Sequence, residues 1–369
     1  MIPYDLDIFY IMLYTGVTFV AITACFYLLF RRGNAFAPDI TSPIRLRRWA
    51  AAFFAVMSLS HVWWFQLEFF RQGSHPLTYF AIAVGLDGVT LLITVAGILL
   101  SMLQDRRRPL LPAILSLLPF LVGLAVCIIR HDETFLTICI TYFQWLVFAS
   151  LLYFVYHVRQ YSYWLRDNYA DLEHKEVWKS LLVLAIFILS LAIYDSNVSH
   201  IAYAYWVQVN DLILIALLLW RVETLQQLEP TTPATDTVDV QGVARASLNI
   251  PSNISSLLGE YCEKTQLYLH HDITLDELSK AIGTNRTYLS AYFAQEGISY
   301  NAYINRLRIQ HFVQLYRERT NHKQQFTAQE LANESGFRSY ATFGLAFKRF
   351  MGQTVTSWMK EEFQNLQSL

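Results

Sequence analysis

Up to Trp220 apolar residues run almost without interruption, and beyond it they recur at spaced, helical intervals. A helix needs about 20 consecutive apolar residues to cross a bilayer core. Runs of that kind occupy 8–30, 49–70, 77–103, 109–129, 134–157, 177–194 and 200–220, which predicts seven membrane-spanning helices. From Ile254 onward, Ile254, Leu257, Leu258, Tyr261 and Cys262 fall at i, i+3, i+4, i+7 and i+8, one face of an amphipathic helix. Strand-like alternation of useful length does not occur. Between the two patterns lies EPTTPATDTVDVQGVARASLNIPSN, 229–253, rich in Thr and Pro and without an aromatic residue. Such a stretch lacks the apolar surface to fold and reads as a linker. The predicted fold class is all-α: a polytopic transmembrane bundle over 1–221, a flexible linker over 222–253 and a helical domain over 254–369.

Composition sharpens this picture. The chain is 54% hydrophobic and only 15% charged, where a soluble domain carries about 25% charged residues. Its net charge of −1 selects no partner. The distribution of charge is more informative, because Lys and Arg concentrate in the cytoplasmic loops of membrane proteins. With seven spans, one side holds Arg31, Arg32, Arg45, Arg47, Arg48, Arg106, Arg107, Arg108, Arg159, Arg166, Lys175 and Arg221; the other holds Arg71 and Arg130. The N-terminus is therefore expected outside and the C-terminal domain in the cytoplasm. MIPYDLDIFY has two acids and no basic residue, so the first apolar run is expected to be kept as a transmembrane helix rather than cleaved as a signal. Cys25, Cys127 and Cys139 lie in apolar runs and are expected as buried thiols, with a Cys127–Cys139 disulfide as the alternative.

The C-terminal domain contains a repeat. ITLDELSKAIG (273–283) and FTAQELANESG (326–336) align without gaps. Each opens with Thr-x-x-Glu, Thr274 with Glu277 and Thr327 with Glu330, the pattern of a capping box. Each ends on a glycine, Gly283 or Gly336, where a turn needs positive φ. A second helix follows in each, NRTYLSAYF (285–293) and SYATFGLAF (339–347), with Leu289 and Phe293, or Phe343 and Phe347, facing inward. Helix, glycine turn, helix, written twice, predicts two helix-turn-helix units.

Residues 273–359 resemble the DNA-binding domain of the AraC/XylS family of bacterial transcription regulators. The resemblance rests on Tyr288-Leu289-Ser290 and Phe293, on Tyr303-Ile304-Asn305-Arg306-Leu307-Arg308 in the connector, and on Gly336-Phe337, Phe347-Lys348-Arg349-Phe350 and Gly352. It implies promoter DNA as partner, with the second helix of each unit entering the major groove. The implied base-facing positions are Thr287, Ser290 and Ala291, then Tyr340, Ala341, Gly344 and Leu345. These are small or apolar, whereas direct readout favours Arg, Asn, Gln or Lys. Thymine methyls, water and DNA shape are expected to carry more of the specificity. Phosphate contacts are expected from Asn285, Arg286, Arg306, Arg308, Arg338, Ser339, Lys348 and Arg349, which flank the recognition helices.

In such regulators a second domain receives the signal, and here the apolar bundle holds that place. Ionisable groups in a bilayer are costly and mark functional candidates. His61, Asp87 and Asp211 fall at similar depth, with Gln208 on the face of Asp211 and Glu68 on that of His61. Trp63, Trp64, Trp145, Tyr79 and Tyr142 are placed to wall a ligand cavity. The alternative is that these groups hydrogen-bond between helices to fix packing. The two aspartates, Asp87 and Asp211, are expected in one polar pocket. Lys175 and Lys179, the lysines that precede residue 222, sit at the cytoplasmic edge, which excludes a retinal Schiff base. Walker A, HExxH, GxSxG and CxxC patterns do not occur, and His270-His271 is a lone pair, so catalytic residues, cofactors and metal sites are not expected. The expectation is a one-component membrane sensor and regulator, with the bilayer, an unidentified signal and a second copy of the chain as further partners. The rival readings are a transporter or membrane-embedded enzyme with an appended regulatory domain, and a latent factor released by proteolysis.

Overall fold

A computed structural model describes residues 8–31, 34–36, 38, 40–70, 76–131, 133–180, 200–228 and 253–367. Among these, regular structure is helical, apart from one isolated β-bridge between Tyr169 and Thr274. The chain packs as two compact units, 1–162 with 174–228, and 163–173 with 229–369.

The first unit contains α1 (Ile8–Phe30), α2 (Ile44–Phe70), α3 (Pro76–Met102), α4 (Leu111–Leu115), α5 (Leu118–Arg130), most of α6 (Glu133–Asn168) and α7 (His200–Thr224). Helix α2 is central and packs against α1, α3 and α7, while α3 also packs against α4 and α5. Close approach is built from small residues: a Cβ on Gly97 would overlap the Trp49 ring, and one on Gly123 would overlap the Cys139 sulfur. All four cysteines are free thiols, with Cys127 and Cys139 buried as expected.

Among the described residues, five stretches are long and apolar enough to cross a membrane: Ile8–Phe30, Leu77–Met102, Leu111–Arg130, Thr134–Asn168 and Ala204–Thr224. Helix α2 covers the second expected run but falls outside this group, because Ser58, Ser60, His61 and Gln66 dilute its apolar surface. The sixth expected run, 177–194, lies largely outside the described residues. The fourth run is broken between α4 and α5. Pro119 has no N–H to continue the ladder, and Ser116 and Leu117 make the turn between the two pieces. The first unit turns large apolar side chains outward, including Phe9 at 71% exposure, Phe30 at 75% and Ile129 at 78%. Exposed apolar surface of this kind marks contact with a membrane or with another protein.

At one end of this unit Glu223 is fully buried. Its carboxylate accepts from Arg47 Nη1 at 2.5 Å, Ala35 N at 2.9 Å and Tyr27 Oη at 3.2 Å, which ties α1, α2 and α7 together. Residues 225–228 follow α7 without being free linker: Gln226 N donates to His174 O, Gln227 N to Thr41 O and Leu228 N to Gln104 Oε1. The rest of the expected linker, up to 252, lies outside the described residues.

The second unit contains α8 (Ile254–Leu258), a π-helical turn at Gly259–Glu263, α9 (Leu275–Ala281), α10 (Arg286–Gln295), α11 (Tyr300–Asn321), α12 (Ala328–Glu334), α13 (Tyr340–Met351) and α14 (Val355–Gln367). Both capping boxes form, Thr274 with Glu277 and Thr327 with Glu330. The turn glycines adopt positive φ, 72° at Gly283 and 89° at Gly336. At Gly336 a side chain would also strike the Leu269 backbone, so both the angle and the space require glycine. Helix α11 is a shared spine. Tyr300, Tyr303, Ile304 and Leu307 enter a core with α9 and α10, while Ile309, Phe312 and Tyr316 enter a second with α12, α13 and α14.

Replacing Thr274 or Thr327 by Ala is expected to cost about 1 kcal/mol each, because one helix N–H loses its acceptor. Denaturant midpoints of the C-terminal transition measure it.

Candidate nucleic-acid interface and a buried polar cluster

The two helices expected to read DNA begin alike. Asn285 caps α10 by accepting Tyr288 N at 2.9 Å, and Ser339 caps α13 by accepting Thr342 N at 3.3 Å. Both side-chain oxygens expected near phosphate are therefore engaged in building a helix N-terminus, where the following N–H groups and the dipole favour an anion.

Thr287 and Ala341 are exposed, Ser290 and Gly344 are half-buried, Tyr340 is 39% exposed and Leu345 is 75% exposed. Ala291 departs from expectation: it is buried, with its methyl turned inward, and has no face to offer a base. The outward face of α13 thus carries Tyr340, Ala341 and Leu345, with the Tyr340 hydroxyl but no Arg, Lys, Asn or Gln in its first two turns. A solvent-exposed leucine there gains by burial against an apolar atom, and the thymine methyl is the one a major groove provides.

The basic residues divide by environment. Arg306, Lys348 and Arg349 are exposed, with the Arg306 guanidinium over the Tyr303 ring at 5.6 Å. Arg338 pairs with Asp272 at 2.6 Å on the surface, a weak bond that a phosphate can replace. Arg286 is half-buried and donates twice to Asn168 Oδ1, at 3.0 and 2.5 Å. Arg308 is the clear correction. It is 1% exposed and donates to the carbonyls of Tyr268, His270 and His271 at 2.8, 2.7 and 3.2 Å. Its guanidinium stacks on Phe337 at 5.6 Å. Burial pulls its pKa down to about 10, which leaves it charged at neutral pH. Arg308 is a structural cation out of reach of DNA.

Residues 278–361 match the family described as "Helix-turn-helix domain". The C-terminal part of the chain is a helix-turn-helix domain. The chain is similar to uncharacterized HTH-type transcriptional regulators of Staphylococcus aureus. The protein of strain MRSA252 is 33% identical over 98 residues, 26% of this chain and 12% of that relative. The proteins of strains COL and MSSA476 are each 32% identical over 98 residues, with the same coverage. The match thus spans about an eighth of the length of these relatives. No solved structure matches the chain.

The polar residues singled out in the first unit gather around α2. The Asp87 carboxylate on α3 accepts from Ser60 Oγ at 2.8 Å, Trp63 Nε1 at 3.0 Å and Trp64 Nε1. On the next residue of α2, His61 bonds Met57 O through Nδ1 at 2.8 Å and approaches Gln208 Oε1 of α7 through Nε2 at 3.1 Å. Asp211 lies 3.9 Å from the same nitrogen. From α1, the Tyr14 hydroxyl donates to His61 O at 2.5 Å. His61, Gln208 and Asp211 meet directly, and Asp87 joins them through the shared helix. The Glu68 side chain lies outside the described residues. Of the expected aromatic wall, Trp63 and Trp64 bond Asp87. Trp145, however, is 66% exposed, and the Tyr142 hydroxyl donates to Ser116 O instead. Ser60 and Tyr14 carry no charge at neutral pH, so a search for charged groups in the apolar runs does not find them.

Arg308→Met is expected to lower the stability of the helix-turn-helix domain by about 3 kcal/mol or more, since three carbonyls lose their donor. Arg306→Ala should change it by less than about 0.5 kcal/mol, and denaturation read by tyrosine and tryptophan fluorescence separates them. Asp87→Leu should likewise destabilise the first unit by about 2–3 kcal/mol by orphaning its three donors. Thermal unfolding in detergent checks this, and an unchanged midpoint would argue that Asp87 is not a packing acceptor.

Proposed function

We infer that this protein is a membrane-bound one-component transcription regulator. The single observation that carries the reading is a helix-turn-helix domain on the same chain as helices with outward-facing apolar surfaces. In this reading the first part, 1–221, crosses the inner membrane of a bacterium seven times, with the N-terminus outside. The Lys and Arg bias of its loops supports the domain at 254–369 facing the cytoplasm, where DNA is.

The cluster of His61, Asp87, Gln208 and Asp211 is where a signal would act, because it links α1, α2, α3 and α7. A ligand or membrane state that alters one of these bonds shifts helix packing or self-association, and so the presentation of the domain to DNA. Two helix-turn-helix units on one chain would read adjacent stretches of promoter, with Thr287, Ser290, Tyr340, Ala341, Gly344 and Leu345 toward bases. Arg306, Arg338, Lys348 and Arg349 would hold phosphates. Dimerisation would strengthen binding through effective concentration alone.

Two measurements test the reading. A fluorescent-protein fusion after residue 369 should glow and a periplasm-dependent phosphatase fusion should stay inactive; the reverse pattern sinks the assignment. The protein in nanodiscs should bind duplex DNA with an affinity that falls steeply with salt, and Lys348→Ala should reduce the salt slope by about one.

A further inference from the structure

The stretch Tyr163–Glu173 packs as part of the second unit, although its chain neighbours Ser162 and His174 belong to the first. It behaves as a strap across the helix-turn-helix domain. Asn168, the last residue of α6 and itself buried, offers Oδ1 to Nε and Nη2 of Arg286 at 3.0 and 2.5 Å. Tyr169 bridges Thr274, and Ala170 N donates to Ile273 O at 3.3 Å. Asn301 of α11, buried, donates through Nδ2 to the carbonyls of Tyr169 and Ala170 at 3.3 and 2.6 Å. The Ala170 methyl enters the core of the first helix pair. Asp171 fixes the turn by accepting Glu173 N at 3.0 Å, and the Glu173 carboxylate accepts from Thr342 Oγ1 at 3.4 Å.

Two of these contacts fall where a duplex would be held. Arg286 is the first residue of α10, and Thr342 lies in the first turn of α13. Helix N-termini carry unsatisfied N–H groups and the positive dipole end, which suit phosphate oxygens. The strap brings an amide oxygen to one and a carboxylate to the other, acceptor groups of the kind the DNA backbone presents.

We propose that the strap Asn168–Glu173 docks on the phosphate-binding side of the helix-turn-helix domain and competes with duplex DNA for it. The proposal rests on the DNA-binding reading above. Release of the strap frees the Arg286 guanidinium and removes the Glu173 charge from α13, so the domain gains a cation and loses a repelling anion together. Asn168 closes α6, so a shift at that end of the helix reaches the Arg286 contact through the backbone.

The test uses the full-length protein in nanodiscs and a pool of fluorescein-labelled duplexes with a randomised core, titrated by anisotropy at several salt concentrations. Asn168→Ala combined with Glu173→Gln should bind about fivefold tighter or more than the parent, with a salt slope steeper by about one. Asn301→Ala should move affinity in the same direction, because its Nδ2 bonds go to the strap. Amide exchange in 163–173 should be slow in the free protein and fast once duplex saturates it. Equal or weaker binding by these variants, with unchanged helix content, overturns the proposal while parent binding keeps the DNA-binding reading intact. A strap that stays protected in the complex does the same. No duplex binding by parent or variants overturns that reading, and the proposal with it.

Discussion

The helix-turn-helix domain is organised around one buried cation. The Arg308 guanidinium reaches the carbonyls of Tyr268, His270 and His271, which lead into the first helix pair, and its flat face lies on Phe337, in the turn between α12 and α13. The neighbouring backbone completes the joint, with His271 Nδ1 bonded to Gly336 O at 3.0 Å. A charge taken out of water is tolerated only with full hydrogen-bond compensation, and here neutral carbonyls provide it. Because α11 passes through both cores on either side of Arg308, the angle between α10 and α13 depends on this contact. In the proposed function, phosphate and base contacts would be aligned only if it holds.

The first unit meets the same constraint in a more apolar setting. Polar side chains of α2 and α3 answer one another and their neighbours: Asp87 accepts from three α2 donors, and His61 bonds Met57 O and Gln208. Helices that gain little from apolar burial in lipid rely on such bonds and on close packing at small residues such as Gly97 and Gly123. Groups that fix packing are also groups through which packing can be altered, so the proposed sensory role is compatible with a structural one.

Local features were legible in the sequence. Thr-x-x-Glu announced both capping boxes, Gly283 and Gly336 announced their turns, and the family resemblance implied the outward placement of Thr287 and Leu345. What failed depended on distant parts of the chain. Arg308 reads as one more surface arginine beside Arg306, because a sequence displays charge and not the three carbonyls that bury it. Ala291 shares a helix face with exposed neighbours, yet is covered. The Asn168–Arg286 bond joins residues 118 apart, and no periodicity records it. Glu223 lies just past the last apolar run, and the residues that enclose it, Arg47, Tyr27 and Ala35, are 176 to 196 positions away in the chain.

The strap's grip sets a ceiling on regulation. A handful of neutral and singly charged hydrogen bonds, each worth about 1 kcal/mol net, less the entropy of ordering the segment, leaves a margin of a few kcal/mol. Apparent affinity for an operator scales with the fraction of molecules in the open state. A margin of that size confines the range between silent and fully induced promoters to roughly one or two orders of magnitude. Such a latch behaves as a dimmer whose resting leak is set by how firmly one loop is tied down.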